Sequence, residues 1–422
     1  MSAPSSIASA PVLQADQGLG SQSSALLSRL ENGGPPRLQS ASPPWTQRIR
    51  GAVSGFLLGA LVFSGCTFNP GGLDPLDATS GGDSGTMADG GDGGTGGDGG
   101  MDAGTMPTAP SVLRPTMAQM LHPGRAYLRW QDGIIPSGRT ITDYQLCFTS
   151  GAATTIDDAT ECPGNAMIAT PYSALESDTP GATYRFKVRA RFDDGSFSPY
   201  SDVRTFVTDG GLTGRWKLDG NGTDATGLGH GATPQNGAAF DPSGRVGQAL
   251  SLAGLDDHAT VNDAPAFNVG TGDFTWAAWI NPDLSGVFQS LIEKRTSANG
   301  FEIYRRPTGG LAFAGHACGE IILANGIVNG EWHRALVTRS GMTVNVFIDG
   351  ILAGSGTCAD DFNNTAHVAF GCNSPERGCS TPLQGRMDEI LSLNLSTTAE
   401  MAVNDFCADE AAAGVSPPAV CQ

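Results

Sequence analysis

Thr343-Val344-Asn345-Val346-Phe347-Ile348-Asp349-Gly350 and Gly385-Arg386-Met387-Asp388-Glu389-Ile390 are the stretches on which the fold turns. In the first, Val344, Val346 and Ile348 face one side and Thr343, Asn345 and Phe347 the other. That is the period-two pattern of a strand, not the stripe of a helix. Working outward, similar apolar runs recur at Trp216-Lys217-Leu218-Asp219, Gly247–Leu252, Asp256–Val261, Phe274–Ile280 and Gly330–Arg334. Glycine turns separate them, so the chain must return on itself repeatedly. Residues 211–400 are therefore predicted to form two antiparallel sheets packed face to face.

In this order, and with Asp224-Ala225-Thr226-Gly227 and His230-Gly231-Ala232 between the first runs, the region resembles the laminin-G-like, concanavalin A-like lectin/glucanase jelly roll. The closing G-x-M-D-E-I beside the earlier F-I-D-G carries the resemblance. It implies a structural calcium ion, with Asp224 and Asp388 as candidate carboxylate ligands. Calcium gathers several oxygens, mostly carboxylates and loop carbonyls. Here the early turn is shorter than the family's and lacks its asparagine. The competing roles are a turn cap for Asp224 and backbone-amide bonding for Asp388.

Glucanases on this fold bring two glutamates together through an E-x-D-x-x-E strand pattern. That pattern is absent, and Asp388 and Glu389, being adjacent in a strand, are expected to point to opposite faces. No H-E-x-x-H motif or nucleophile elbow occurs, so the chain is read as not an enzyme. Trp279 and Trp332 are read as core residues within strands. Residues 401–422 resemble the short helix that follows this fold. The rim loops, such as Ser285-Gly286-Val287 and Tyr304-Arg305-Arg306, are left as the variable part.

Residues 107–210 hold a second set of alternating runs: Ala126–Trp130, Ile141–Phe148, Tyr184–Phe192 and Val203–Val207. They resemble a fibronectin type III sandwich, with Trp130, Tyr144 and Tyr184 at the family's aromatic positions and Ser198-Pro199-Tyr200-Ser201 before the last strand. Arg185, Lys187, Arg189 and Arg191 form a basic stripe on one strand. It is read as a solvated face paired with acidic neighbours rather than as a polyanion site.

The amino-terminal part has a different character. Arg48 and Arg50 precede an apolar stretch, Ala52–Phe63, and then Ser64-Gly65-Cys66. This resembles the export signal and lipobox of bacterial lipoproteins, with Phe63 where Leu, Val or Ile is usual. The resemblance implies lipidation of Cys66, residues 1–66 as the export segment with an extension, and an outer-membrane or cell-surface location. Residues 67–106 carry seven Asp and no Lys or Arg, with repeated Gly-Gly-Asp. Without apolar periodicity they form no core and read as a spacer.

Cys66 aside, eight cysteines remain, two in 107–210 and six in 211–422. Even numbers suit bridges confined within domains in an oxidising compartment. Cys147 and Cys162 are expected to bond. The other six leave several connectivities open, of which Cys318–Cys358, Cys372–Cys379 and Cys407–Cys421 are preferred.

The net charge of −18 repels phosphate backbones, so nucleic acid is not an expected partner. Together these readings describe an all-β, membrane-anchored module that binds a glycan or a protein. The alternatives are a structural envelope component without a small ligand and a carbohydrate-active enzyme.

Overall fold

Burial alternates without a break along Thr183–Phe192: Tyr184, Phe186, Val188, Ala190 and Phe192 are buried, and the residues between them are partly exposed. A strand with one apolar face needs a second sheet to cover it, and that need organises both halves of the molecule. The structure, a computed structural model, describes residues 105–158, 161–162, 167–373 and 378–422. Cys66, the expected lipidation site, the expected export segment and nearly all of the expected spacer lie outside the described residues.

In the first sandwich, β1 (Ser111–Arg114), β3 (Gly124–Gln131) and β6 (Tyr172–Ser177) make the smaller sheet, ordered β1-β3-β6. The larger sheet runs β2-β8-β7-β4-β5. Its strands are β2 (Gln119–Leu121), β4 (Ile141–Ser150), β5 (Met167–Ile168), β7 (Thr183–Phe192) and β8 (Arg204–Thr208). Trp130 meets Tyr144 edge-on and Tyr184 stacks on Phe206 between the layers. The backbone N–H of Thr179 donates to the Tyr184 hydroxyl at 3.4 Å, tying the strand's start to the preceding turn.

The basic stripe on β7 is fully engaged. Lys187 pairs with Asp158 and Arg191 with Asp143. Arg189 donates to Gln145 and lies over the rings of Phe197 and Tyr200 at 4.0 and 4.4 Å. Such interdigitated cations hold strand edges together by cation–π attraction.

The second sandwich is larger. One sheet is ordered β10-β13-β22-β15-β16-β17-β18. It comprises β10 (Ala232–Gln235), β13 (His258–Val261), β15 (Gln289–Arg295), β16 (Gly300–Arg305), β17 (Gly310–Gly315), β18 (Gly319–Asn325) and β22 (Val368–Phe370). The other is ordered β11-β12-β23-β14-β19-β20-β21, with β9 also paired to β23. Its strands are β9 (Leu212–Trp216), β11 (Ala239–Asp241), β12 (Ala249–Leu252), β14 (Phe274–Pro282), β19 (His333–Ser340), β20 (Thr343–Ile348), β21 (Ile351–Thr357) and β23 (Gly385–Leu393).

Between these sheets lies a core rich in aromatics. Trp216 stacks on Trp276 and meets Phe370 edge-on, while Phe274, Phe301, Phe313 and Phe362 form a second ring cluster. Trp216 also donates its indole N–H to the His230 carbonyl at 2.7 Å, so its one polar atom is satisfied.

An α-helix, α1 (Ala399–Ala412), follows β23. Thr398 caps it by accepting the Met401 N–H, and the Cys407–Cys421 bridge pins the chain end to it. The other bridges pair Cys147 with Cys162, Cys318 with Cys358 and Cys372 with Cys379. Among the described residues, no helix is long and apolar enough to cross a membrane.

Trp216→Ala removes a wholly buried ring and leaves a cavity shared by both sheets. A loss of about 3–5 kcal/mol is expected, measurable as a lowered midpoint in denaturant unfolding of the full chain.

Candidate functional site

The two sandwiches belong to one folded unit, and what joins them is a buried charge cluster. On the outer face of the sheet that contains β14 and β23, Leu212, Ala277, Leu336, Phe347, Leu391 and Leu393 form an apolar patch with Ala402 of α1. Beside it, Trp279 packs on Phe406 of α1, with Tyr127 of β3 and the Cys407 and Cys421 sulfurs close by. The helix thus lies between the first sandwich and this sheet. Trp279 is a core residue, but of this junction rather than of the jelly-roll interior. Trp332 precedes β19 instead of lying within a strand, and it is only half-buried against the same cluster.

Arg125 of β3 reaches across the junction. It pairs with Glu389 of β23 at 2.9 Å, Asp409 of α1 at 3.0 Å and Glu176 of β6 at 2.6 Å. Arg215 of β9 pairs with Asp178 and approaches Glu389 at 3.5 Å. Arg334 donates to the Glu389 carbonyl at 2.6 Å, and Trp279 donates its indole N–H to Asp409 at 2.7 Å. Asn404 satisfies two backbone groups of β3 beyond the end of β1, accepting from the Tyr127 N–H and donating to the Arg125 carbonyl.

Burial and the nearby Asp409 push Glu389 up, against the pull of Arg125 and Arg215. For Asp409 burial is outweighed by Arg334, Arg125 and the Trp279 N–H, so it is held down as an anion. The cluster borders a small cavity lined by Pro123, Arg125, Arg215, Arg334, Asp405 and Asp409. Arg125 pairs with Asp409 there, and all of the charged side chains in the lining are buried.

Asp388 and Glu389 do not point to opposite faces. Met387 and Ile390 both enter the jelly-roll core, three positions apart, which strict alternation forbids. A β-bulge accounts for this: Ala277 pairs with Leu391 but Trp279 with Asp388, and Glu389 adopts φ 45°. The same edge of β23 pairs with β12 over Gly385–Met387 and with β9 over Ile390–Leu393, so the bulge falls where one partner gives way to the other. Both carboxylates are thereby turned to the covered side.

The candidate calcium ligands do not converge. Asp224 accepts the backbone N–H groups of Arg215, Thr226 and His230 and the Thr226 hydroxyl, fixing the turn after β9. Asp388 accepts the Val246 and Glu389 N–H groups, at 2.9 and 2.8 Å. They have no hydrogen-bond partner in common. A calcium ion gathers about six to eight oxygens in one place, and two carboxylates spent on separate backbone turns do not fit such a site. Burial, reinforced by Glu389, pushes Asp388 up to about 9 against those two amides.

The opposite sheet carries a different surface. Phe288, in the loop after β14, is 46% exposed and lies 6.0 Å from the Tyr304 ring of β16. Leu284 and Val287 are exposed in the same loop. Around Tyr304, Ser290 donates to Glu302, and Arg306 pairs with Glu320 at 3.2 Å. Burial and Glu320 raise the Tyr304 hydroxyl. Tyr304 and Arg305 belong to a strand, not a rim loop. Arg305 is buried and donates to the Leu284 carbonyl, the Gln289 amide oxygen and the Asn329 amide oxygen. Phe288 immediately follows the loop residues Ser285–Val287 picked out in the sequence, but no period marks it. The junction residues Arg125 and Asp409 carry no local signal either, because their partners are remote in the chain.

Residues 253–400 match the family model described as the concanavalin A-like lectin/glucanases superfamily. The sequence matches no curated protein. Among solved structures, the binding domain of Paraclostridial Mosquitocidal Protein 1 is similar at 16% identity and a TM-score of 0.39, over 47% of this chain and 52% of that one. Domain 4 of an extracellular arabinanase from Geobacillus stearothermophilus, in complex with arabinotriose, is similar at 20% identity and 0.39, over 46% and 98%. The binding domain of botulinum neurotoxin serotype D follows at 12% identity and 0.37, over 46% and 50%. The chain thus spans about half the length of the two toxin domains.

Two outcomes follow for the junction. Arg125→Met removes the cation nearest to Glu389 and Asp409 in a buried site, leaving them only Arg215 and Arg334 at longer range, and a loss of about 3 kcal/mol is expected in denaturant unfolding. Asp388, folded near 9, keeps a proton that the unfolded chain releases near pH 4. Its contribution therefore falls as pH rises between those values. Asp388→Asn should flatten the decline of the unfolding midpoint between about pH 5 and 8 relative to wild type.

Proposed function

We propose that this chain is a surface-displayed, non-catalytic module that binds glycan on the outer face of the jelly-roll sheet built on β15 and β16. The exposed Phe288 ring beside the half-buried Tyr304 ring carries the reading. Sugar rings offer apolar C–H faces that lie on aromatic rings, and hydroxyls that bond carboxylates and guanidinium groups. Glu302, Glu320 and Arg306 surround the pair with those groups. A site needs a few placed polar groups around an apolar contact, and this surface supplies both. The family match over residues 253–400 supports the same reading.

The opposite face is covered by α1 and the first sandwich, a domain that resembles fibronectin type III. That leaves the β15–β16 side to a ligand. In the proposal, lipid on Cys66 anchors the chain at an outer membrane, and the acidic spacer 67–106 holds both sandwiches away from it. A structural envelope role is the second reading, favoured by the size of the charged junction. Calcium is not required by the β15–β16 surface.

The test is a glycan-array screen of the full chain with calcium and then with chelator, followed by affinity measurements on the best ligand. Binding that survives chelation is expected, with Phe288→Ala and Tyr304→Ala each weakening it by at least about tenfold. A folded chain silent on the array, or binding untouched by both substitutions, counts against the β15–β16 site.

A further inference from the structure

His258 opens β13 with its ring buried, and one bond fixes its tautomer: Nδ1 lies 2.8 Å from the Asp256 carbonyl. A carbonyl only accepts, so Nδ1 carries the proton and Nε2 keeps the lone pair. Metal-ligating histidines are commonly held this way, with a backbone carbonyl behind the ring. One ring nitrogen of His258 and the sulfurs of Cys372 and Cys379 lie within 4.8 Å of one another. The sheet makes this neighbourhood: β13 pairs with β22, which ends at Phe370 just before Cys372. Cys372 is wholly buried and Cys379 half-buried, so the bridge is reached from the Cys379 side. The comparable group of Cys318, Cys358 and Asp360 has no histidine, and one Asp360 oxygen already accepts the Ala317 and Cys318 N–H groups.

We propose that Cys372, Cys379 and His258 form a redox-gated site for a zinc-like cation. Oxidised, the pair is the bridge seen in the structure. A dithiol donor reduces it: the S–S bond breaks, each sulfur gains a hydrogen, and the donor closes into its own disulfide. A divalent cation then displaces both thiol protons and takes two thiolates and Nε2. One position of a tetrahedral set stays open for water or a further ligand. Thiolate and imidazole donors select zinc-like ions over calcium or magnesium. Metal uptake would thus report on the reducing power of the surroundings, independently of any glycan.

The full chain, reduced under native conditions with a phosphine and desalted, is titrated with cobalt(II) and then zinc(II). Alkylation mass spectrometry reports which cysteines are open, and near-ultraviolet circular dichroism reports folding. Wild type is expected to give thiolate-to-cobalt charge-transfer and tetrahedral ligand-field bands that zinc(II) bleaches. Those bands should vanish in Cys372→Ser/Cys379→Ser, which leaves the other cysteines as the background. His258→Gln, folded and bridged before reduction, should bind at least about tenfold more weakly. The proposal is overturned if the pair stays closed in the folded chain. It is equally overturned if the opened pair gives no such bands, or if His258→Gln matches wild type in spectrum and affinity.

Discussion

The arrangement of this molecule depends on the bulge at Asp388–Glu389. Without the extra residue, β23 could not place Met387 and Ile390 in the jelly-roll core and still carry Glu389 on the covered side. Glu389 there meets Arg125 and Arg215, so the register of one strand decides where the first sandwich can dock. A buried carboxylate without a cation is costly, and a buried cation without a carboxylate equally so. Each side of the junction therefore requires the other, and the helix that supplies Asp409 is fixed between them by Asn404 and the Cys407–Cys421 bridge.

That dependence makes the two outer faces of the jelly roll unlike. A two-sheet sandwich has two outer faces, and here one is consumed by α1 and the first sandwich. The carboxyls that burial pushes up, Asp388, Glu389, Asp405 and Glu410, belong to the consumed face. Perturbed carboxylates often mark catalytic sites, yet here each perturbation traces to burial among structural partners. The other outer face, with Phe288 exposed beside Tyr304 and the Arg306–Glu320 pair, is aromatic and mildly charged.

Much of the fold was legible because strand alternation is a local property. Val344, Val346 and Ile348 enter the core as their spacing requires, and the alternation of Tyr184–Phe192 is reproduced residue for residue. The same rule misled at Asp388 and Glu389, where a change of edge partner from β12 to β9 forces a bulge that no local period announces. Trp332 and Arg305 failed for related reasons: one sits just outside its strand, and the other, though charged, turns inward to bond carbonyl and amide oxygens at the end of the sandwich.

The candidate site was less legible because it is made of remote pairs. Arg125 and Asp409 meet only after the first sandwich, the jelly roll and the helix are all in place. Phe288 and Tyr304 come from a loop and a strand whose proximity depends on the pairing of β15 with β16. Asp224 is the converse case: its motif is local and suits either a turn cap or a cation ligand, and the turn it occupies spends its oxygens on backbone N–H groups. An aspartate in a tight turn has two uses, and the donors that face it decide between them. Here those donors are amides, which is what a turn needs and what a cation would have to displace.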